Sequence, residues 1–181
     1  MGKIRIIGGK YRSRIITFND NNQAIRPTPD RVRETLFNWL GQELTNKYCL
    51  DLFAGSGALS FEALSRNAKQ VVAIEHNSKV CCDLLANKQL LKIENLLIQQ
   101  NEAIYYLNHC QQKFDVIFLD PPFASNLLQQ CIELILAKEL LTLNGIIYIE
   151  YQKLIGFSKC EILKKAKAGM VNYALLKLKV E

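Results

Sequence analysis

No apolar run in the 181 residues approaches the ~20 that a membrane-spanning helix needs; the strongest, 116–119 and 145–149, are strand-sized. Histidine is scarce, with two in the chain, and the six cysteines, at 49, 81, 82, 110, 131 and 160, include no C-x-x-C pair. This argues against a zinc site and a disulfide framework, so no metal is expected and the thiols are assigned to core or surface. Residues Met1 to Arg5 show neither the apolar stretch nor the cleavage site of a signal peptide, and a cytoplasmic location is the expectation. Internal repeats and low-complexity tracts are absent. What is present, 49% hydrophobic and 22% charged residues, excludes wholesale disorder. The length suits one domain, 1–181, read as a basic N-terminal hairpin and helix extension over 1–40 on a core over 41–181.

Charge is unevenly spread. Residues 1–33 hold eight basic and two acidic side chains, residues 34–152 eight and thirteen, and residues 153–181 seven and two. Basic ends on a neutral-to-acidic body suit a polyanionic partner, although a solubilising surface has the same composition. Arginine dominates the first segment, and its planar fork suits phosphate.

Charged and apolar residues alternate over 3–7 and 10–18 around Gly8-Gly9, the pattern of a hairpin with its basic residues on one face. Pro27 and Pro29 set up a helix start with Thr28 as candidate cap. Val32, Leu36, Phe37 and Leu40 fall at helical spacing, with Arg31 and Arg33 projecting away from that stripe. From residue 48 onward, strands at 49–53, 71–74, 96–98, 115–119 and 145–150 alternate with helices at 58–64, 78–91 (capped by Ser78), 102–110 and 125–140. The segments 160–167 and 172–180 form a terminal hairpin. Strands alternating with helices predict an α/β domain with a mainly parallel sheet.

Two strand ends carry chemistry. Asp51-Leu52-Phe53-Ala54-Gly55-Ser56-Gly57 leaves a strand and opens a helix, and Glu75 closes the next strand. Ligands of such sheets bind at the carboxyl ends of strands, where glycine lets backbone approach closely. A carboxylate at 75 suits the hydroxyls of an adenosine ribose, whether of a nicotinamide dinucleotide or of S-adenosylmethionine. The dinucleotide fingerprint needs a third glycine where Ser60 stands. Asp51 would repel a pyrophosphate but suits the ammonium group of S-adenosylmethionine. At the second strand end, Asp120-Pro121-Pro122-Phe123 offers a carboxylate and a stiff carbonyl as convergent acceptors for an NH2 group, with Phe123 as a stacking face for a base. Positioning of a weakly nucleophilic amine supplies much of the acceleration, and its proton goes to Asp120 or to water.

These residues resemble the RsmD family, the bacterial 16S rRNA (guanine(966)-N2)-methyltransferases. The resemblance rests on IRIIGG at 4–9, RPTPDRVRETLFNWL at 26–40, LDLFAGSGAL at 50–59, EALSR at 62–66 and DPPF at 120–123, and so covers essentially the whole chain. It implies a Rossmann-like class I methyltransferase fold: a mostly parallel seven-stranded sheet with an antiparallel last strand. It implies S-adenosylmethionine as donor and the exocyclic N2 of one guanine in 16S rRNA, in the assembled small ribosomal subunit, as acceptor. Carried over by position, Asp51, Phe53, Gly55 and Gly57 contact the methionine part, Glu75 the ribose and Glu102 the adenine, with Ala54 and Ala103 also among the donor-binding residues. Asp120, Pro121, Pro122 and Phe123 form the catalytic motif. Lys3, Arg5, Lys10, Arg12, Arg14, Arg26, Arg31 and Arg33 would grip RNA phosphates around a flipped guanine.

A monomer is expected, because the sequence gives no sign of an extensive apolar surface. Three other readings share part of the pattern: a methyltransferase of adenine N6 or of a protein glutamine amide, an NAD-dependent oxidoreductase, and a noncatalytic RNA-binding assembly factor.

Overall fold

A computed structural model describes residues 1–19, 27–122, 126–152, 156 and 159–179. Strands β1 (Gly2–Arg5) and β2 (Ile15–Phe18) form an antiparallel pair. Helix α1 (Asp30–Trp39) follows, and then β3 (Tyr48–Asp51), α2 (Ala58–Ser65), β4 (Gln70–Glu75), α3 (Ser78–Leu90), β5 (Leu96–Gln100), α4 (Ala103–His109), β6 (Phe114–Leu119), α5 (Leu127–Ala137), β7 (Leu141–Tyr151), β8 (Cys160–Ala168) and β9 (Val171–Leu178). The main sheet has the order β5-β4-β3-β6-β7-β9-β8. Its first five strands are parallel, while β9 runs antiparallel to β7 and β8 antiparallel to β9. This is the Rossmann-like sheet expected, with the last strand of the chain reversed. The order changes direction between β3 and β6, so a crevice opens at their carboxyl ends.

Strand alternation sorts the core into two layers. Cys49, Val71, Ala73, Val116, Phe118 and Tyr148 face the hairpin, α1, α2 and α3, whereas Leu50, Val72, Ile74, Ile117 and Ile147 face α4 and α5. The apolar runs of the central strands follow from helices covering both faces.

Several local expectations are corrected. The cap of α3 is Asn77, whose side chain accepts from the Lys79 amide at 3.0 Å, not Ser78. Thr28 does not cap α1; Pro29 stands before the helix, and the Thr28 hydroxyl donates to Glu150 at 3.2 Å. The second hairpin strand begins at Ile15, because residues 7–11 bind α2 instead of pairing. The Ile7 and Gly8 amides donate to the Glu62 carboxylate at 2.9 Å each, and the Lys10 amide donates to the Ser65 carbonyl at 2.7 Å. Gly9, at φ +75°, sits where a Cβ would run into that carbonyl. Helix α5 ends at Ala137, before Glu139 turns to positive φ.

The largest correction is Arg33, expected on the surface but 1% exposed. Its Nη1 donates to Glu62 at 3.2 Å, Nη2 to Asp30 at 2.6 Å and to the Arg5 carbonyl at 3.1 Å, and Nε to the Thr28 carbonyl at 3.1 Å. With its donors committed inside the protein, Arg33 joins the hairpin to α1 and α2 and is unavailable to RNA phosphate.

Candidate active site

Three carboxylates stand at the ends of three adjacent strands, around one cavity of about 660 Å³. That volume suits a small-molecule site. Its wall includes Asp51, Phe53, Ala54, Gly55, Glu75, Glu102, Ala103, Asp120, Pro121 and Pro122, so ten of the side chains assigned from sequence meet there.

Asp51 ends β3, 3% exposed, and its Oδ2 accepts from the Ser60 hydroxyl at 2.6 Å. Burial pushes its carboxyl up to about 6; the Ser60 bonds oppose this and the charge of Glu75 adds to it. Ser60, which stands where a dinucleotide fingerprint needs glycine, thus orients the acid. A buried carboxylate with raised proton affinity is one that a cationic ligand can satisfy.

Glu75 ends β4 and is fixed by backbone. Its Oε2 accepts from the Gly55 amide at 3.0 Å and its Oε1 from the Asn77 amide at 2.8 Å, with His76 Nδ1 at 3.0 Å from Oε1. Two amide bonds hold the carboxylate in place while leaving lone pairs to accept further hydroxyls. Gly57 plays a different part from the one assigned. It does not line the cavity; it stands before α2 at φ +79°, and a Cβ there would come within 2.6 Å of Leu84 and 2.7 Å of Phe61.

Asp120 follows β6. Its carboxyl is raised well above the ordinary range by burial, and then by the charges of Glu150 and Asp51. Pro121 is buried and Pro122 exposed beside it. Phe123 lies outside the described residues.

Sequence reasoning missed Pro27 and Thr28, which bring the segment before α1 into the cavity wall. It also missed Glu150 on β7, 5% exposed, whose Oε1 accepts from Thr28 and, at 2.8 Å, from the Tyr148 hydroxyl. An acid near the carboxyl end of a strand was the signal available for Glu150, as it was for Asp51, Glu75 and Asp120.

Of the basic residues, Lys3, Arg5, Lys10, Arg12, Arg14 and Arg31 are exposed, and Arg26 lies outside the described residues. A second cavity of about 350 Å³ is lined by Lys3, Arg5 and the start of α1, and it shares Pro27 and Thr28 with the first. A groove carrying Lys3 and Arg5, with Asp30 beside Arg5, therefore borders the acidic pocket. No helix of the described residues is long and apolar enough to cross a membrane.

A family model described as "Conserved hypothetical protein 95" matches residues 4–177. The chain is 42% identical to ribosomal RNA small subunit methyltransferase D of Haemophilus influenzae, over 96% of this chain and 93% of that protein. The solved structure of a putative methyltransferase from Escherichia coli superposes with a TM-score of 0.90 at 37% identity, covering 99% of this chain and 100% of that one. The fold also matches a Podospora anserina methyltransferase solved with S-adenosylhomocysteine (TM-score 0.68, 14% identity, 84% of this chain and 80% of that one).

Proposed function

The chain belongs to the RsmD family of ribosomal RNA small subunit methyltransferases, and from that premise we propose that it methylates the exocyclic N2 of one guanine in 16S rRNA, using S-adenosylmethionine. The observation that carries the reading is the convergence of Asp51, Glu75 and Asp120 on one cavity at the switch point of the sheet. The residues fit the donor: a buried carboxylate short of a cation at 51, and a carboxylate fixed by two amides at 75. S-adenosylmethionine supplies a methyl group on a sulfonium.

Around it Asp51 holds the ammonium group, Glu75 the ribose hydroxyls, and Glu102 and Ala103 flank the adenine. Asp120 and the Pro121 carbonyl accept the two N–H donors of the acceptor amine and aim its nitrogen, and Phe123, next along the chain, provides the stacking face. Holding a weak nucleophile in line is worth roughly 7–11 kcal/mol in well-oriented reactions. The protein is proposed to act as a monomer on the small subunit, in the cytoplasm where that particle is built. The test uses methyl-labelled donor with small subunits from cells lacking the enzyme. Label in N2-methylguanine supports the reading, and label in N6-methyladenine sinks it.

Donor binding should depend on pH. Asp51 ionises with its carboxyl raised to about 6, so in the free protein its charge costs stability as pH rises from about 4 past 6. Ligand ammonium needs that charge, so affinity for S-adenosylhomocysteine should weaken below pH 6 by up to about tenfold per unit. Calorimetry from pH 5 to 8 checks this. Asp51→Asn should bind weakly with a flat profile, and a pH-independent wild type would contradict the assignment.

Arg12, Arg14 and Arg31, exposed around the hairpin and α1, are proposed to contact phosphate. Changing all three to Ala should weaken binding of small subunits and lower the slope of log affinity against log salt by about two to three. An unchanged slope removes this role.

A further inference from the structure

Asp120 and Glu150 are neighbours by register. Strands β6 and β7 are parallel, with Phe118 paired to Tyr148 and Leu119 to Ile149, so the next residues, 120 and 150, lie side by side. Asp51 pairs with Phe118 across β3, which puts Asp51, Asp120, Tyr148 and Glu150 on one face of the sheet at its ligand-binding edge. Glu150 is buried and forms no salt bridge among the described residues; its bonds are those from the hydroxyls of Thr28 and Tyr148. Arg33, which donates to the Thr28 carbonyl, is committed to Glu62 and Asp30. A glutamine would accept the same two hydroxyl bonds without the cost of burying a charge. A carboxyl group at this position adds a negative charge, and that charge acts on Asp120.

We infer that Asp120 and Glu150 act as a carboxyl pair that takes the proton released by the acceptor amine, with Asp120 touching the amine and Glu150 the positioning residue that makes Asp120 a better base. The inference rests on the role proposed for Asp120. As the acceptor nitrogen bonds to the methyl carbon, that carbon's bond to sulfur breaks with its electron pair staying on sulfur. One N–H bond of the amine gives its pair back to nitrogen, and the proton passes to an Asp120 oxygen and later to water. Like charges side by side resist double ionisation, so the pair, once doubly ionised, readily takes one proton back. Both carboxyls are raised, in each case first by burial, with the charge of Glu150 acting on Asp120 before that of Asp51. The titratable groups facing Asp120 are Asp51 from β3 and Glu150 and Tyr148 from β7, with Tyr173 of β9 behind Tyr148.

The test is the pH profile of single-turnover methylation of small subunits by the full chain. Glu150→Gln keeps both hydroxyl acceptances and removes the charge. Its acid limb should move down by about one pH unit or more, with unchanged affinity for S-adenosylhomocysteine. Glu150→Asp, which keeps a carboxylate, should retain the wild-type limb. A Glu150→Gln profile that superposes on wild type overturns the inference. Should that variant not fold, carbon-detected NMR titration of wild type decides: Asp120 titrating alone in the ordinary carboxylate range overturns it, and two linked steps with one raised support it. Asp120→Asn separates the premise, because full activity in that variant would remove the role of Asp120 itself.

Discussion

Replacing Asp120 with Ala should lower kcat by about 10²- to 10⁴-fold while leaving the dissociation constant of S-adenosylhomocysteine within about threefold of wild type. The asymmetry follows from position. Asp120 stands after β6 on the proline side of the cavity, whereas the groups assigned to the donor, Asp51, Gly55 and Glu75, belong to β3, β4 and the loop between β3 and α2. Removing the carboxylate takes away the acceptor proposed to orient the amine and the charge proposed to offset the positive nitrogen in the transition state. It leaves intact the Ser60–Asp51 bond and the two amide bonds to Glu75. Steady-state kinetics on small subunits together with calorimetry separate the two quantities. Equal losses in donor affinity and kcat would place Asp120 on the donor instead.

Glu62→Ala is expected to be strongly destabilising, at about 3–5 kcal/mol. Glu62 is fully buried, and its two oxygens accept four bonds: the Ile7 and Gly8 amides, Arg33 Nη1 at 3.2 Å and Arg66 Nε at 3.0 Å. Arg66 also lies 4.9 Å from the Phe37 ring centroid. Truncating the acid leaves two guanidinium groups in the core without their shared anion and releases the hairpin from α2. For a chain of this length the melting temperature should fall by about 10 °C. Hydrogen exchange at Ile7 and Gly8 should rise more than at β3 or β6. Replacing Arg33 with Met together with Glu62 with Leu should cost less than Glu62→Ala, since Arg66 alone, and not both guanidinium groups, then loses its anion. A loss below about 1 kcal/mol for Glu62→Ala would show that water reaches the pair and that the hairpin is held by its apolar contacts.

The parts of this molecule that were legible in its sequence are those with local causes. The apolar run at 116–119 reads as a buried parallel strand because helices cover both its faces, and β6 occupies it. The acids before Gly55 and at the end of β4 read as ligand groups because strand ends in such sheets face the crevice, and both line it. What escaped depends on partners distant in sequence. Arg33 has the look of a surface residue, and its burial follows from Glu62, which lies 29 positions away on a helix buried on every side. The turn after β1 alternates like a strand, but α2 captures its amides first. Glu150 was visible as an acid near the end of a strand. Its place beside Asp120, however, depends on the register of β6 on β7, which no local pattern encodes.

The Asp120 carboxylate and the Pro121 carbonyl are proposed to hold the amine of a guanine against the methyl donor. A structure of this protein with S-adenosylhomocysteine and a small-subunit RNA containing its target is the decisive measurement. The guanine N2 should lie within about 3 Å of both oxygens and face the sulfur of the product. An Asp120 carboxylate turned away from the base, or a pocket beside the sulfur that cannot admit a purine, would contradict it.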